Sequence, residues 1–286
     1  MGISGALAVT KLIVGWMAGS TSVVADGIES AGDVLASGMI LVALSVAARP
    51  ADANHPYGHG RFETLTGLLV GNILAVTGAL ISWRSLDGMG EAHSAPAAYA
   101  VWPLILSIAL KSGLAGYKFR SGNKIGSSAL VADAWNDSVD ILSGTVALIA
   151  VSLTLFDPGR FLMADHWGGF GVGLIVIVLG LNVIRETVLH LMDTMPDEAT
   201  MNSIRRSALT VPGALGVEKC FARKTGLRWH VDLHLEVDPE LTVKASHSIA
   251  EEVRNRVRSD LEWVADVLVH VEPHAGVEAP ATRPRA

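Results

Sequence analysis

Two stretches of this chain set carboxylates within otherwise apolar sequence, and they share a pattern. Ala25-Asp26-Gly27-Ile28-Glu29-Ser30-Ala31-Gly32-Asp33 and Ala132-Asp133-Ala134-Trp135-Asn136-Asp137-Ser138-Val139-Asp140 both read A-D-x-x-[E/N]-x-x-x-D. Glu29/Asp33 and Asn136/Asp140 are spaced i,i+4, so on a helix each pair shares one face a turn apart. Two such faces brought together present four oxygen-bearing side chains, about what a divalent cation needs in place of its hydration shell. A charge at the centre of a bilayer costs at least ~2.5–3.5 kcal/mol, so an acid there marks a functional position by default. Asp33 and Asp140 lie well inside their apolar runs. Small residues follow each of them, Ala36-Ser37-Gly38 and Ser143-Gly144, and permit close helix packing. Asp26 and Asp133 stand near the starts of their runs; they either join the constellation as accessory groups or cap a helix and meet water.

Two further sets carry metal-ligand chemistry. Asp52, His55 and His59 are spaced three and four apart, which is compatible with joint ligation of one ion. The competing reading is a polar loop with solvated histidines, in which His59 only shapes the Gly58-His59-Gly60 turn. Between Trp229 and Val237 the chain alternates strictly, with His230, Asp232, His234 and Glu236 on one face and Val231, Leu233, Leu235 and Val237 on the other. That is a half-buried strand, whose polar face holds His234 with His230 and Glu236 as either supplementary ligands or solvent-facing groups. The single cysteine, Cys220, excludes an intrachain disulfide framework and a CxxC zinc site, and reads as core.

These groups are positioned by six apolar stretches, 1–18, 22–48, 64–86, 98–118, 128–155 and 169–191, each near the ~20 residues that cross a bilayer core. The connections carrying Arg49 and Arg61, and Lys118, Arg120 and Lys124, hold more basic residues than those carrying Arg84 and Arg160. This bias places the first set, and both termini, in the cytoplasm. Trp83, Trp102 and Trp167 near span ends fit an interfacial aromatic belt. No basic segment precedes the first apolar run, so Met1–Met17 reads as a first membrane helix whose natural lead-in is short or missing, not as a cleaved signal. Lys111 inside the fourth stretch either snorkels to the interface or pairs with an intramembrane acid. Asn72 in the third reads as a helix–helix hydrogen-bond contact.

From Asp193 onward the composition changes. Of the 50 charged residues, 27 fall in those last 94 positions and only 23 in the 192 before them. A membrane domain over 1–192, a water-facing domain over 193–275 and a disordered tail over 276–286 follow from that shift. The second domain reads as a helix over 197–209, strands near 217–223 and 229–237, a helix over 243–257 and a strand over 266–272. This α-β-β-α-β order puts helices on one face of a small antiparallel sheet. With a net charge of −6, the chain lacks the basic face that nucleic acid would require. A membrane metallohydrolase lacks a nucleophile or general-base constellation here, and its metal ligands would be split between bilayer and cytosol. A passive channel or a metal sensor fits less well than a moving helix pair.

Beyond the two quartets, the sequence contains Asn54-His55-Pro56-Tyr57-Gly58-His59-Gly60-Arg61-Phe62-Glu63, Leu191-Met192-Asp193, Met195-Pro196-Asp197-Glu198, His234-Leu235-Glu236 and His270-Val271-Glu272-Pro273, in that order. Together these blocks resemble the cation diffusion facilitator family across essentially the whole chain. The resemblance implies a non-enzymatic, homodimeric exporter of divalent transition metals. Its fold is six membrane helices followed by a cytoplasmic ferredoxin-like α+β domain, in a cell (inner) membrane of a prokaryote. It places the transport site on Glu29, Asp33, Asn136 and Asp140, a loop site on Asp52, His55 and His59, and cytoplasmic-domain ligands on His234, His247, His270 and Glu272. Zinc-carrying members typically have histidine where this chain has Asn136. Amide and carboxylate oxygens suit harder ions than imidazole does, so Mn²⁺ or Fe²⁺ is expected ahead of Zn²⁺, Co²⁺ or Cd²⁺. Family members import protons as they export metal. Because Asn136 does not titrate, the carboxylates would have to hold the returning protons. The divalent metals are expected as cargo and regulator, with no organic cofactor.

Overall fold

The computed structural model describes residues 2–89, 94–125 and 128–274. The chain divides into two compact units, Met1–Ala43 with Thr66–Arg185 and Leu44–Leu65 with Glu186–Ala286.

The first unit is helical. Its helices are α1 (Gly2–Ala18), α2 (Thr21–Ala47), α3 (Arg61–Gly88), α4 (Val101–Ile125), α5 (Ser128–Phe156), the short α6 (Pro158–Phe161) and α7 (Ala164–Leu191), with the ends of α2, α3 and α7 running into the second unit. All but α1 and α6 are long and apolar enough to cross a membrane. Helix α1 has 17 residues, about 25 Å at 1.5 Å per residue, just under a ~30 Å hydrocarbon layer. It ends at Gly19, whose φ of 69° suits a left-handed helix stop, and the chain turns at once into α2. The N-terminus of α2 is capped from α7. Asp165 accepts from the Thr21 amide at 2.6 Å, from the Ser20 hydroxyl at 2.7 Å and from the Ser22 hydroxyl, supplying acceptors for the orphan donors of a helix start.

Glycines set how closely these helices approach. A Cβ on Gly15 would lie 2.9 Å from the Val24 amide nitrogen, and one on Gly27 would lie 3.0 Å from that of Leu12, so α1 and α2 pack backbone to backbone. Helices α3 and α7 do the same: a Cβ on Gly78 would lie 2.7 Å from the Ile177 nitrogen, and one on Gly180 2.5 Å from that of Ala75. Small residues serve this purpose in membranes, where close van der Waals contact substitutes for the hydrophobic effect. Asn72 donates to its own helix at Leu68 O, 2.8 Å away, and is exposed. The helix–helix bond expected of it is therefore replaced by the local i−4 carbonyl, which is always within reach on a helix. Trp83, Trp102 and Trp167 are all exposed.

The second unit contains α8 (Glu198–Ala208), β1 (Gly216–Thr225), β2 (Arg228–Val237), α9 (Val243–Asp260) and β3 (Val264–Pro273), the α-β-β-α-β order read from the sequence. Asp197 and Thr242 cap the two helices by accepting from the amides of Thr200 and Ala245. The sheet order is β1-β2-β3. Strands β1 and β2 pair antiparallel through the Gly226 turn, but β2 and β3 pair parallel. The fully antiparallel sheet expected above is thus corrected. An intervening helix carries the chain back to the same end of the sheet, and such a crossover yields parallel strands. Val231, Leu233, Leu235 and Val237 of β2 are buried against Ile204 of α8, Val253 and Val257 of α9 and Val267 of β3. Cys220 belongs to this core, where burial pushes its thiol up to about 11.

Candidate functional site

Helices α2, α4 and α5 bring the carboxylates together. Asp33, Asn136 and Asp140 line one cavity of about 370 Å³, shared with Ser37, Lys111, Lys118 and Asp137. The Asp33 and Asp140 carboxyls lie within electrostatic reach of each other across this cavity. Glu29 lies a turn further along α2, within electrostatic reach of Asp26, Asp33 and Asp140, and is buried at 3% exposure. Both of its carboxylate oxygens, and Oδ2 of Asp33, are buried without a hydrogen-bond partner among the described residues. The nearby Ser143 hydroxyl donates instead to the Asp140 carbonyl at 3.0 Å. Asn136 is exposed on α5 while lining the cavity.

Lysines compensate the other acids of this region. Lys11 of α1 meets Asp26 at 2.7 Å with both side chains 1% exposed, and also donates to the Ser30 hydroxyl at 3.0 Å. Asp26 is therefore neither a helix cap nor water-facing. One of its oxygens lies 3.7 Å from where a Gly144 Cβ would stand, so it faces α5. Lys111 pairs with Asp140, and Lys118 pairs with Asp137 at 2.6 Å. Lys111 and Lys118 are seven apart on α4, and Asp140 and Asp137 three apart on α5 in the opposite sense, so the pairs form two rungs between antiparallel neighbours. Of the two readings left open for Lys111, pairing is the one realised. Asp137 and Lys11 were not singled out from the sequence, where a lysine inside the first apolar run was the available signal, and Lys118 was read only as a basic connection residue. The Asp133 side chain lies outside the described residues.

In the second unit, Asp52, His55 and His59 place one ligand atom each within 4.8 Å of one another. The His55 Nδ1 lies 3.1 Å and the His59 Nε2 3.4 Å from the Asp52 carboxylate. Asp52 also accepts from the His55 amide at 2.7 Å and the Asn54 amide at 2.9 Å. The His55 amide is the main cause holding its carboxyl below the usual range. Nδ1 of His59 is buried without a partner among the described residues. These mixed imidazole and carboxylate donors fit a borderline divalent ion.

His234, His270 and Glu272 form the other such cluster among the described residues. Parallel pairing sets His234 opposite His270 on neighbouring strands. The His234 Nδ1 lies 2.5 Å from Glu272, and the two imidazole rings are 5.1 Å apart. A proton shared with the Glu218 carboxyl, and then a hydrogen bond from His234, hold Glu272 below the usual carboxylate range. His247 is not part of this cluster. It is 71% exposed on α9, 3.7 Å from Glu251. Helix α9 covers the apolar face of the sheet, whereas His234 belongs to the polar face of β2, so the sheet separates them within one chain. Glu236 meets His274 at 2.6 Å, a contact hidden in the sequence by Pro273. Residues 276–286, read as a disordered tail, lie outside the described residues.

Comparison with known proteins agrees with this arrangement. Residues 1–192 match the cation efflux transmembrane domain, and residues 196–274 match the cytoplasmic domain of cation efflux proteins. The chain is 33% identical to metal tolerance protein C1 of Arabidopsis thaliana, over 93% of this chain and 59% of that protein. The chain thus spans about three-fifths of that relative's length. It is 30% identical to metal tolerance protein 2 of rice (Oryza sativa subsp. japonica), over 93% of this chain and 74% of that one. It is also 30% identical to the manganese efflux system protein MneP of Bacillus subtilis, over 92% of this chain and 90% of that one. Multi-pass membrane helices, paired carboxylates on two of them and an α+β domain behind are the parts of one known design, and the chain belongs to the cation diffusion facilitator, or cation efflux, family.

Proposed function

We propose that this protein exports divalent transition-metal cations from the cytoplasm by alternating access, in exchange for protons, with Mn²⁺ or Fe²⁺ preferred over Zn²⁺. The observation that carries the reading is the meeting of Asp33, Asn136 and Asp140 on one cavity between α2, α4 and α5. Glu29 completes an all-oxygen donor set. Such a set favours harder ions, because an imidazole would have to replace an oxygen to suit zinc. The similarity to a manganese efflux protein supports the same preference. Metal enters from the cytoplasmic side, displaces protons from the carboxylates that no lysine holds, Glu29 and Asp33, and leaves on the other side when the helices reorient. Protons then reload the carboxylates, since Asn136 has no titratable group.

The Asp52/His55/His59 and His234/His270/Glu272 clusters serve as regulatory sites in this reading. Occupancy of the second stabilises one arrangement of a homodimer and so couples cytoplasmic metal to transport. The excess of basic residues in the connecting loops supports cytoplasmic termini.

The test is a metal panel in proteoliposomes containing a pH dye, run on the parent protein and on Asn136→His. The parent should move Mn²⁺ faster than Zn²⁺ with opposing proton flux, and Asn136→His should shift the preference toward Zn²⁺. Zinc transported far faster than manganese by the parent would overturn the assigned preference. Metal movement with no proton counterflow would overturn antiport.

A further inference from the structure

Among the described side chains around this cavity, acids outnumber cations: Asp26, Glu29, Asp33, Asp137 and Asp140 face Lys11, Lys111 and Lys118. The uncompensated acids are Glu29 and Asp33, whose buried oxygens have no hydrogen-bond donor among the described residues. Asp140 is different. It lies beside Asp33 on the cavity, but the Lys111 ammonium already holds it.

We propose that Lys111 is a tethered counter-cation of the transport site, occupying Asp140 when no cargo is present and yielding it when a divalent ion binds. This rests on the reading of Glu29, Asp33, Asn136 and Asp140 as that site. The ammonium rests on Oδ2 of Asp140, so an incoming ion gains both oxygens of that carboxylate only if the ammonium leaves, and a second resting place is at hand. Asp137 lies three residues from Asp140 on α5, lines the same cavity and already faces Lys118. An ammonium has three donors and a carboxylate about four acceptor positions, so Asp137 can take both lysines. The exchange has two consequences. Asp140 is never left without a cation, whose absence would be costly in a low-dielectric layer. The cargo is also held less tightly than its ligands alone would hold it, which favours release on the far side. Lys11 cannot play this part, because its partner Asp26 does not line the cavity.

The experiment measures Mn²⁺ affinity of the full chain in nanodiscs, with the other two clusters silenced by His55→Ala and His234→Ala. Lys111→Met removes the charge; Lys111→Gln also removes it but keeps a donor for Asp140, and carries the test if the methionine variant does not fold. The competing ammonium charge is lost in both, so each should bind Mn²⁺ roughly ten- to a hundredfold more tightly. Lys111→Arg, which retains the charge, should bind no more tightly than the parent. A merely structural lysine would give the opposite result, weaker binding in both uncharged variants. Unchanged or weaker affinity there overturns the proposal. Asp140→Asn separates the two levels: parent-like affinity in that variant sinks the site itself, whereas lost affinity there without tightening in Lys111→Met sinks only the counter-cation.

Discussion

Replacing Lys11 with methionine removes the ammonium that meets Asp26 at 2.7 Å and leaves a similar volume of apolar side chain. Both partners are 1% exposed, so water cannot take over the lost interaction. Removing one partner of a buried pair costs about 3–5 kcal/mol, because the other charge stays behind uncompensated. Exchanging both members for neutral groups is often nearly neutral. Lys11→Met alone should therefore destabilise the protein by about 3–5 kcal/mol, and adding Asp26→Asn should recover most of that loss. The double-mutant cycle isolates the pair. Unfolding in mixed micelles by increasing SDS, followed by circular dichroism, measures each corner of it. The Arg254–Asp266 pair is a useful contrast within the same molecule. Its geometry is good, 2.7 and 2.9 Å, but its side chains are 46% and 42% exposed, and such solvated pairs are worth only ~0–1 kcal/mol. A cost below ~1 kcal/mol for Lys11→Met, or a double variant no better than the single one, would refute the claim that this ion pair holds α1 to α2.

Three other outcomes follow from the geometry. His234→Ala and Glu272→Ala should each weaken metal binding at the cytoplasmic cluster by an order of magnitude or more, while His247→Ala should leave it unchanged; isothermal titration with His55→Ala as background reads all three. The Cys220 thiol, raised from 9.0 to about 11 by burial, should resist maleimide at pH 8 in the folded protein and react once unfolded, because the thiolate is the nucleophile. Its contribution to stability is fully present below pH 9 and is lost as pH rises through 9 to 11, where only the unfolded chain ionises readily; stability that held constant across that window would contradict the burial argument. Gly180→Ile should abolish correct assembly of α3 against α7, since even a Cβ would stand 2.5 Å from the Ala75 nitrogen; a variant that purifies and melts like the parent would show that the helices are not so close.

The carboxylate quartets were legible because acids are rare in apolar runs, and helical spacing alone puts Glu29 with Asp33 and Asn136 with Asp140. Their partners were harder to see. Lys11 and Asp26 are 15 positions apart on different helices, and no periodicity within one element connects them. The alternation of β2 identified its buried face residue by residue. Within one chain His247 does not reach the cluster, because strand alternation says which side a histidine takes but not on which side of the sheet a later helix will pack. The parallel β2–β3 pairing could have been inferred from the intervening helix, since a crossover of that length returns the chain in the same direction. His274 follows the last alternating strand, where no pattern remains to signal that it reaches back to Glu236.

The proposed transport site requires that carboxylates from α2 and α5 jointly hold one dehydrated divalent ion. Its most direct test is the initial rate of Mn²⁺ entry into vesicles bearing outward-facing cytoplasmic domains, compared among the parent, Asp33→Ala and Asp140→Ala at equal protein density and confirmed folding. Loss of transport in each single variant is the predicted result, since neither helix alone supplies enough ligands. Parent-like rates in either one would contradict it.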